Sequence, residues 1–407
     1  MSDTLKKIAE NYGAGLVNGS YLNGIAEAIG VDLATSTDLM RDILAVIGGT
    51  PENSTDYLQD IVLAYGGSEP VNGNWMEAWE AITATPPVPV NTSPPVLIYG
   101  GRYEGEPVDT DDGTWDNSPT SFTYQWYRDA TPISGETLSQ YILTSADVDT
   151  EVTCQVTAIN GGGSATEPSN AIYIFDYDYA QVFYYYEDTE EYIAILQNQF
   201  MIAIKAAGVW AKLDVLCVFR GSGNGAALVD WKRLSQVTND KCSFDDTQGF
   251  IGDASIPAYI DTGFNITAGT NYTRNNASRY FFPYAFSGAG PMDGQIAGGR
   301  NRMLLNNSTD HRINQQGAIP LSSAFQYTTT VQPKSIHRTS ATDVTLFNGT
   351  TSASRTGVSA SSTGNLFILR NDTDYADHTV AAYAAGASMV AENTAFVAAW
   401  NTYITAL

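Results

Sequence analysis

The spacing of apolar positions divides the chain into a helical stretch and two stretches of strands. Residues 21–30 (YLNGIAEAIG), 39–48 (LMRDILAVIG), 57–66 (YLQDIVLAYG) and 75–84 (WMEAWEAITA) repeat every 18 residues. Each places apolar side chains at i, i+3 or i+4 and i+7, the spacing of a short amphipathic helix. Leu22, Met40, Leu58 and Met76 share one column, and Ile25, Ile43, Ile61 and Trp79 share another. Gly30, Gly48 and Gly66 supply helix stops, and Ser36-Thr37-Asp38 and Ser54-Thr55-Asp56 supply N-caps. A weaker fifth unit runs from Leu5 to Gly13. Helices of about ten residues are marginal alone. These either stack as a self-contained array or dock their apolar columns onto a repeated partner surface. The Pro-rich stretch TATPPVPVNTSPPV (83–96) then predicts a stiff, extended spacer.

Beyond it the period changes to two. TYQWYRD (123–129) and EVTCQVTAI (151–159) alternate large or β-branched residues with polar ones, and TPISGE and LSQYILTSADVD between them predict a turn, a third strand and a corner. Trp126 is the expected core tryptophan. Residues 190–207 predict a helix with Ile193, Leu196, Phe200 and Ile204 on one face and Gly208 as its stop. From Trp210 onward short aromatic or β-branched runs separated by Gly, Asn, Ser and Asp predict a two-sheet jelly roll, closed by a last helix, NTAFVAAWNTYITAL. The fold class is therefore multidomain and mainly β. It has a helical repeat array (1–85), a Pro-rich linker (86–95), an immunoglobulin-like β-sandwich (96–174) and a C-terminal jelly-roll sandwich (175–407).

The run from Tyr124 through Trp126, the TPISGE turn, YILTSADVD and VTCQVTAIN resembles the immunoglobulin-like modules of tailed-phage virion proteins. It departs from antibody-type domains because no cysteine precedes Trp126 to pair with Cys154, and Val152 stands where a tyrosine corner places Tyr. IKAAGVWAKLD, ALVDWKRL, GFIGDASIPAYIDTGFN, SIHRTSATDVTLFNGT and the closing TYITAL together resemble the concanavalin A-like (laminin G-like) domain at the ends of phage virion proteins. The resemblance implies a virion structural protein, either a capsid fibre or decoration or a tail appendage. It would be assembled in the host cytoplasm, anchored by its N-terminus and displayed on the virion surface. The implied partners are other virion proteins, host-surface glycans and further copies of the chain. A polysaccharide depolymerase on the same fold is the alternative, and a secreted lectin is disfavoured because MSDTLKKIAENYG lacks a signal peptide's apolar centre.

Charge narrows the partners. With 20 Lys and Arg against 44 Asp and Glu the net charge is −24, which argues against phosphate-mediated nucleic-acid binding. The acidity lies mostly in residues 1–174. No run of ~18 apolar residues predicts a membrane-inserted helix. Three cysteines at no metal-like spacing predict reduced, structural thiols. The N-x-S/T sequons at Asn265, Asn271, Asn276 and Asn348 are expected in turns.

Chemistry is sparse. Glycosidases of this sandwich class carry paired carboxylates on one strand, and no such run occurs. The histidines His311, His337 and His378 are scattered, and no catalytic residue is expected. Asp372, Asp374 and Asp377 in RNDTDYADH can hold Ca²⁺ in a loop or serve as a solvated turn; no other cofactor is expected. Trp231, Tyr280 and Tyr284 are candidates for stacking on sugar rings, against the alternative that they pack in the core. The two columns from Leu22 to Trp79 are the candidate particle-docking residues.

Overall fold

The computed structural model describes residues 86–407 except 186–189, 222–226, 288–289, 295–301, 306–312, 315–330, 361–364 and 372–373. The helical repeat with its docking columns lies outside the described residues. The chain divides into two compact units. Met1–Pro94, Asp112–Thr123 and Thr157–Glu167 form one; Pro95–Asp111, Tyr124–Val156 and Pro168–Leu407 form the other.

Ten strands occupy the immunoglobulin-like region: β1 (Val90–Ser93), β2 (Leu97–Tyr99), β3 (Pro107–Thr110), β4 (Thr114–Asp116), β5 (Ser121–Arg128), β6 (Thr131–Pro132), β7 (Gln140–Ile142), β8 (Glu151–Asn160), β9 (Gly163–Pro168) and β10 (Ile172–Tyr173). In the first unit β1 pairs antiparallel with β4. Asn160 Nδ2 there donates to the carbonyls of Pro87 and Asn117, each at 2.8 Å. The stretch expected as a stiff, extended Pro-rich linker thus contains a paired strand. The prolines flank VNTS instead of interrupting it, so its amides remain free to pair. In the second unit β10-β8-β5-β6 and β2-β3-β7 form two sheets. Trp126 of β5 is fully buried, 5.5 Å from the Tyr141 ring of β7, with its indole donating to the Leu138 carbonyl at 2.9 Å. Cys154 is buried and free. The corner after β7 is held by buried Asp147, which accepts from Tyr141 Oη at 2.8 Å, the Thr144 amide at 2.6 Å and Arg128 Nε at 2.7 Å.

Helices α1 (Tyr177–Tyr185) and α2 (Glu191–Ala206) lead into the jelly roll, and α3 (Asn393–Ala406) closes it. Its strands are β11 (Leu213–Val218), β12 (Val229–Asp230), β13 (Ser235–Gln236), β14 (Thr238–Asp240), β15 (Ser243–Asp245), β16 (Gly249–Ile251), β17 (Tyr259–Asn265), β18 (Ala277–Ala285), β19 (Gly290–Gly294), β20 (Arg302–Leu305), β21 (Lys334–Arg338), β22 (Asp343–Asn348), β23 (Thr351–Thr356), β24 (Asn365–Ile368), β25 (Arg370–Asn371), β26 (Asp374–Tyr375) and β27 (Thr379–Gly386). The larger sheet runs β13-β12-β11-β27-β18-β21-β22-β23, with β16 also on β27; the smaller runs β14-β17-β24-β19-β20.

Two cores follow. Between the sheets Val215, Phe281, Ile336 and Leu346 meet Ile260, Phe264, Leu366 and Ile368. On the other face of the larger sheet Leu216, Tyr280, Phe282 and Ala384 meet Phe200, Met201, Phe396 and Trp400 of α2 and α3. Each large apolar side chain so buried contributes roughly 1.5–3 kcal/mol. All eight residues of β27 are buried, because helices cover one face and the smaller sheet the other. The buried stripe of α2 includes Ala194, Gln197, Asn198 and Met201 and leaves Ile193 and Leu196 half-buried. The two amides are tolerated there because Gln197 Oε1 accepts from Tyr179 at 3.0 Å and Asn198 Oδ1 from the Asp176 amide at 2.7 Å. A buried ion pair spans the sandwich: Arg279 Nη1 meets Asp293 Oδ1 at 2.7 Å, and Asp293 Oδ2 accepts from Tyr383 at 2.8 Å.

Candidate functional site

Covering one sheet with helices decides which aromatics a ligand can reach. Trp231 is 2% exposed and Tyr280 0%, packed against Tyr179 and against Phe396 respectively. Two of the three expected stacking platforms are thus core residues, walled in by the helical layer. Tyr284 remains 37% exposed, with the Arg220 guanidinium 5.3 Å from its ring.

The face of the smaller sheet turned away from the core carries a different set. Along β17 the inward side chains are Ile260, Thr262 and Phe264, so Tyr259 and Asp261 point outward. In register, Asp261 faces Phe367 of β24 and Tyr259 faces Asp240 of β14. After β24, Leu369 takes φ +65°, a left-handed conformation that strains a residue with a Cβ by ~1–2 kcal/mol. It is held there by its amide bonding to the Met292 carbonyl at 2.9 Å and by full burial. That turn launches the β25–β26 hairpin and brings Arg370 and Tyr375 over the sheet.

The result is an aromatic cluster around one cation. The Arg370 guanidinium lies 4.4 Å from the Tyr259 ring and 5.3 Å from the rings of Phe367 and Tyr375. Tyr259 meets Phe367 edge-on at 5.5 Å and Tyr375 at 6.4 Å. Burial, and then the Asp240 carboxylate, raise the Tyr259 hydroxyl pKa, so it stays a donor. Next to it Asn365 Nδ2 donates to both Asp261 oxygens, at 3.2 and 3.3 Å. Tyr259 and Tyr375 are half-exposed while Phe367 is buried beneath them; partly exposed rings beside carboxylate, amide and guanidinium groups match the two demands of a sugar ring, stacking under its C–H face and hydrogen bonds to its hydroxyls. The outward positions of AYIDTGFN were readable from its alternation; the Arg370 clamp was not, since it depends on a strained turn.

Two of the three expected metal ligands lie among the described residues. Asp374 and Asp377 are exposed, Asp377 Oδ1 accepts the Ala254 amide, and Asp372 lies outside the described residues. Among the described residues no three His, Cys, Asp or Glu side chains come together as a metal site.

One Ser–His contact merits a chemical test. Ser335 Oγ lies 2.8 Å from His337 Nε2, and both are buried. His337 Nδ1 accepts the Met389 amide at 3.2 Å, so the ring hydrogen sits on Nε2 and points at Ser335. The imidazole therefore donates to the hydroxyl, the reverse of a general base, and Ser335 passes its own hydrogen to Asn393 Oδ1 at 3.1 Å. Burial lowers the His337 pKa to about 3. This is a structural network.

No family model matches the chain, and no curated protein matches it. Matching solved structures include the binding domain of botulinum neurotoxin serotype D, 11% identical over 47% of this chain and 52% of that one, at a TM-score of 0.34. Domain 4 of AbnA, an extracellular arabinanase from Geobacillus stearothermophilus, in complex with arabinotriose, is 10% identical over 46% of this chain and 98% of that domain, at 0.30. A Trypanosoma rangeli sialidase in complex with 2,3-difluorosialic acid is 9% identical over 77% of this chain and 62% of that one, at 0.34. The chain spans about half the length of the neurotoxin binding domain.

Proposed function

We propose that the chain is a phage virion structural protein, a capsid fibre or decoration or a tail appendage, that holds a glycan-binding sandwich outward and cleaves nothing. The binding reading rests on one observation: the outer sheet face gathers Tyr259, Phe367 and Tyr375 around Arg370, with Asp240 and Asp261 alongside. The virion reading rests on the sequence resemblance of its immunoglobulin-like and concanavalin A-like regions, and the acidic surface supports a solvated, displayed protein.

Binding of the full chain to an array of bacterial polysaccharides tests it. Tyr259→Ala and Tyr375→Ala are each expected to lower affinity for the best ligand about tenfold, a loss of ~1.4 kcal/mol, with the melting temperature unchanged. Equal binding by wild type and both variants removes this face from the reading. New reducing ends released by the wild-type chain would identify a depolymerase instead, with Asp240 and Asp261 as the first carboxylates to replace.

A further inference from the structure

A second concavity, about 320 Å³ in volume, is lined by Thr267, Gly269, Tyr272, Thr273, Arg274 and Asn314. Its walls are pinned from beneath. Asp214, 8% exposed, accepts the backbone amides of Thr270 at 3.2 Å, Asn271 at 3.0 Å and Tyr272 at 2.5 Å. Gly269 makes room for that carboxylate, since a Cβ there would lie 3.0 Å from Asp214 Oδ2. Buried Arg338 donates from Nε to the carbonyl of Ile313, the residue before Asn314, at 2.8 Å. The adjacent Asn314, 3% exposed, donates from Nδ2 to the carbonyls of Thr273 at 3.1 Å and Arg274 at 3.4 Å. The pocket is thus formed before any ligand arrives.

Arg274 supplies its charge. Nε and Nη2 donate to Ser359 Oγ at 3.2 Å and to the Ser359 carbonyl at 2.9 Å, which orients an exposed guanidinium and leaves Nη1 without an acceptor among the described residues. Arg338 adds to the local positive potential. Its pKa is lowered chiefly by burial and also by Arg274, with Tyr272 and Asp343 opposing. Asp214, beneath the wall, is already engaged by the three amides. A fixed guanidinium at a hydroxyl-lined cavity favours an anion. The volume falls at the small end of ligand pockets, roughly 300–1,000 Å³, which suits one sugar ring and exceeds what an inorganic oxyanion fills.

We propose that this pocket binds a uronic-acid residue of an acidic polysaccharide, its carboxylate on Arg274 and its ring hydroxyls toward Thr267, Thr273 and Asn314. The site is separate from the aromatic sheet face and goes beyond the function proposed above. Calorimetric titration of the full chain with glucuronate, glucose and inorganic phosphate tests it. Glucuronate is expected to bind at least about tenfold more tightly than glucose at low salt, and to weaken as salt screens the exposed guanidinium. Arg274→Ala should abolish the preference. Thr267→Glu should do the same while keeping the Arg274–Ser359 bonds, so loss of binding does not depend on a variant that disturbs the wall. Tyr259→Ala should leave glucuronate binding unchanged, which separates failure here from failure of the sheet face. Equal affinity for glucose and glucuronate overturns the proposal. So does full displacement of glucuronate by equimolar phosphate, which would make the pocket an adventitious anion site.

Discussion

His337 is neutral in the fold because both ring nitrogens are committed and no water reaches it. Its pKa falls from the ordinary 6.5 to about 3, and desolvation is the cause. Between those values the unfolded chain binds a proton that the folded chain refuses. The stabilisation is therefore complete above pH 6.5 and is lost as pH falls through that window. A shift of this size corresponds to ~3–5 kcal/mol. Lys334, lowered to about 7 by burial, has the same sign over a higher range, adding stability as pH rises from about 7 to 10.5. Replacing His337→Gln should flatten the fall in stability between pH 6.5 and 4 by about one proton, measured by denaturant unfolding at successive pH values. An unchanged slope would show that the imidazole titrates normally in the fold. Burial also separates the tyrosines by role, since Tyr280 is enclosed by Phe396 while Tyr259 meets solvent beside Asp240.

Strands with one buried face showed in the sequence which side meets the core, and strands buried on both faces showed only that they are strands. In β8 the residues at 152, 154, 156, 158 and 160 are buried and their neighbours are not, so EVTCQVTAIN announced itself by alternation. RYFFPYA in β18 has no period because helices cover one side and the smaller sheet the other, and a run apolar on both faces gives no hint of which side holds Tyr280. In α2 the pattern of large apolar residues pointed to Ile193 and Leu196, but hydrogen bonds that bury Gln197 and Asn198 turned the inner face. The sheet-spanning Arg279–Asp293 pair joins residues from different strands, so no local pattern marks it. The immunoglobulin-like core carries a prediction of its own. Cys154 is free, buried, and has its thiol pKa pushed up to about 11 by desolvation. A reducing agent should therefore leave the melting temperature unchanged. Trp126→Ala should cost ~3–5 kcal/mol through the cavity left beside Tyr141 and the lost bond to Leu138, read as a drop in the unfolding midpoint.

Within the larger unit the junction between the immunoglobulin-like and jelly-roll regions is packed. Arg102 forms a two-pronged bond with Glu191 of α2 at 2.6 and 3.0 Å and lies 4.6 Å from the Phe175 ring. Tyr103 meets Tyr177 edge-on at 5.3 Å. The virion role proposed above needs an anchor, and the N-terminal columns at Leu22, Met40, Leu58 and Met76 and at Ile25, Ile43, Ile61 and Trp79 are the candidates by sequence. Ten-residue amphipathic helices need a partner for their apolar stripe. The place to cut follows from β1: because Val90–Ser93 pairs with β4, removal must stop before Pro86 and not within the Pro-rich stretch. A chain starting at Pro86 should be soluble, keep the unfolding midpoint of the sandwich regions and be absent from assembled particles. Changing Ile43→Asp and Ile61→Asp together should have the same effect in the full chain, since buried unpaired carboxylates cost several kcal/mol. Quantifying the protein in purified particles decides the matter: full occupancy by the truncated chain would move the anchor to the β regions.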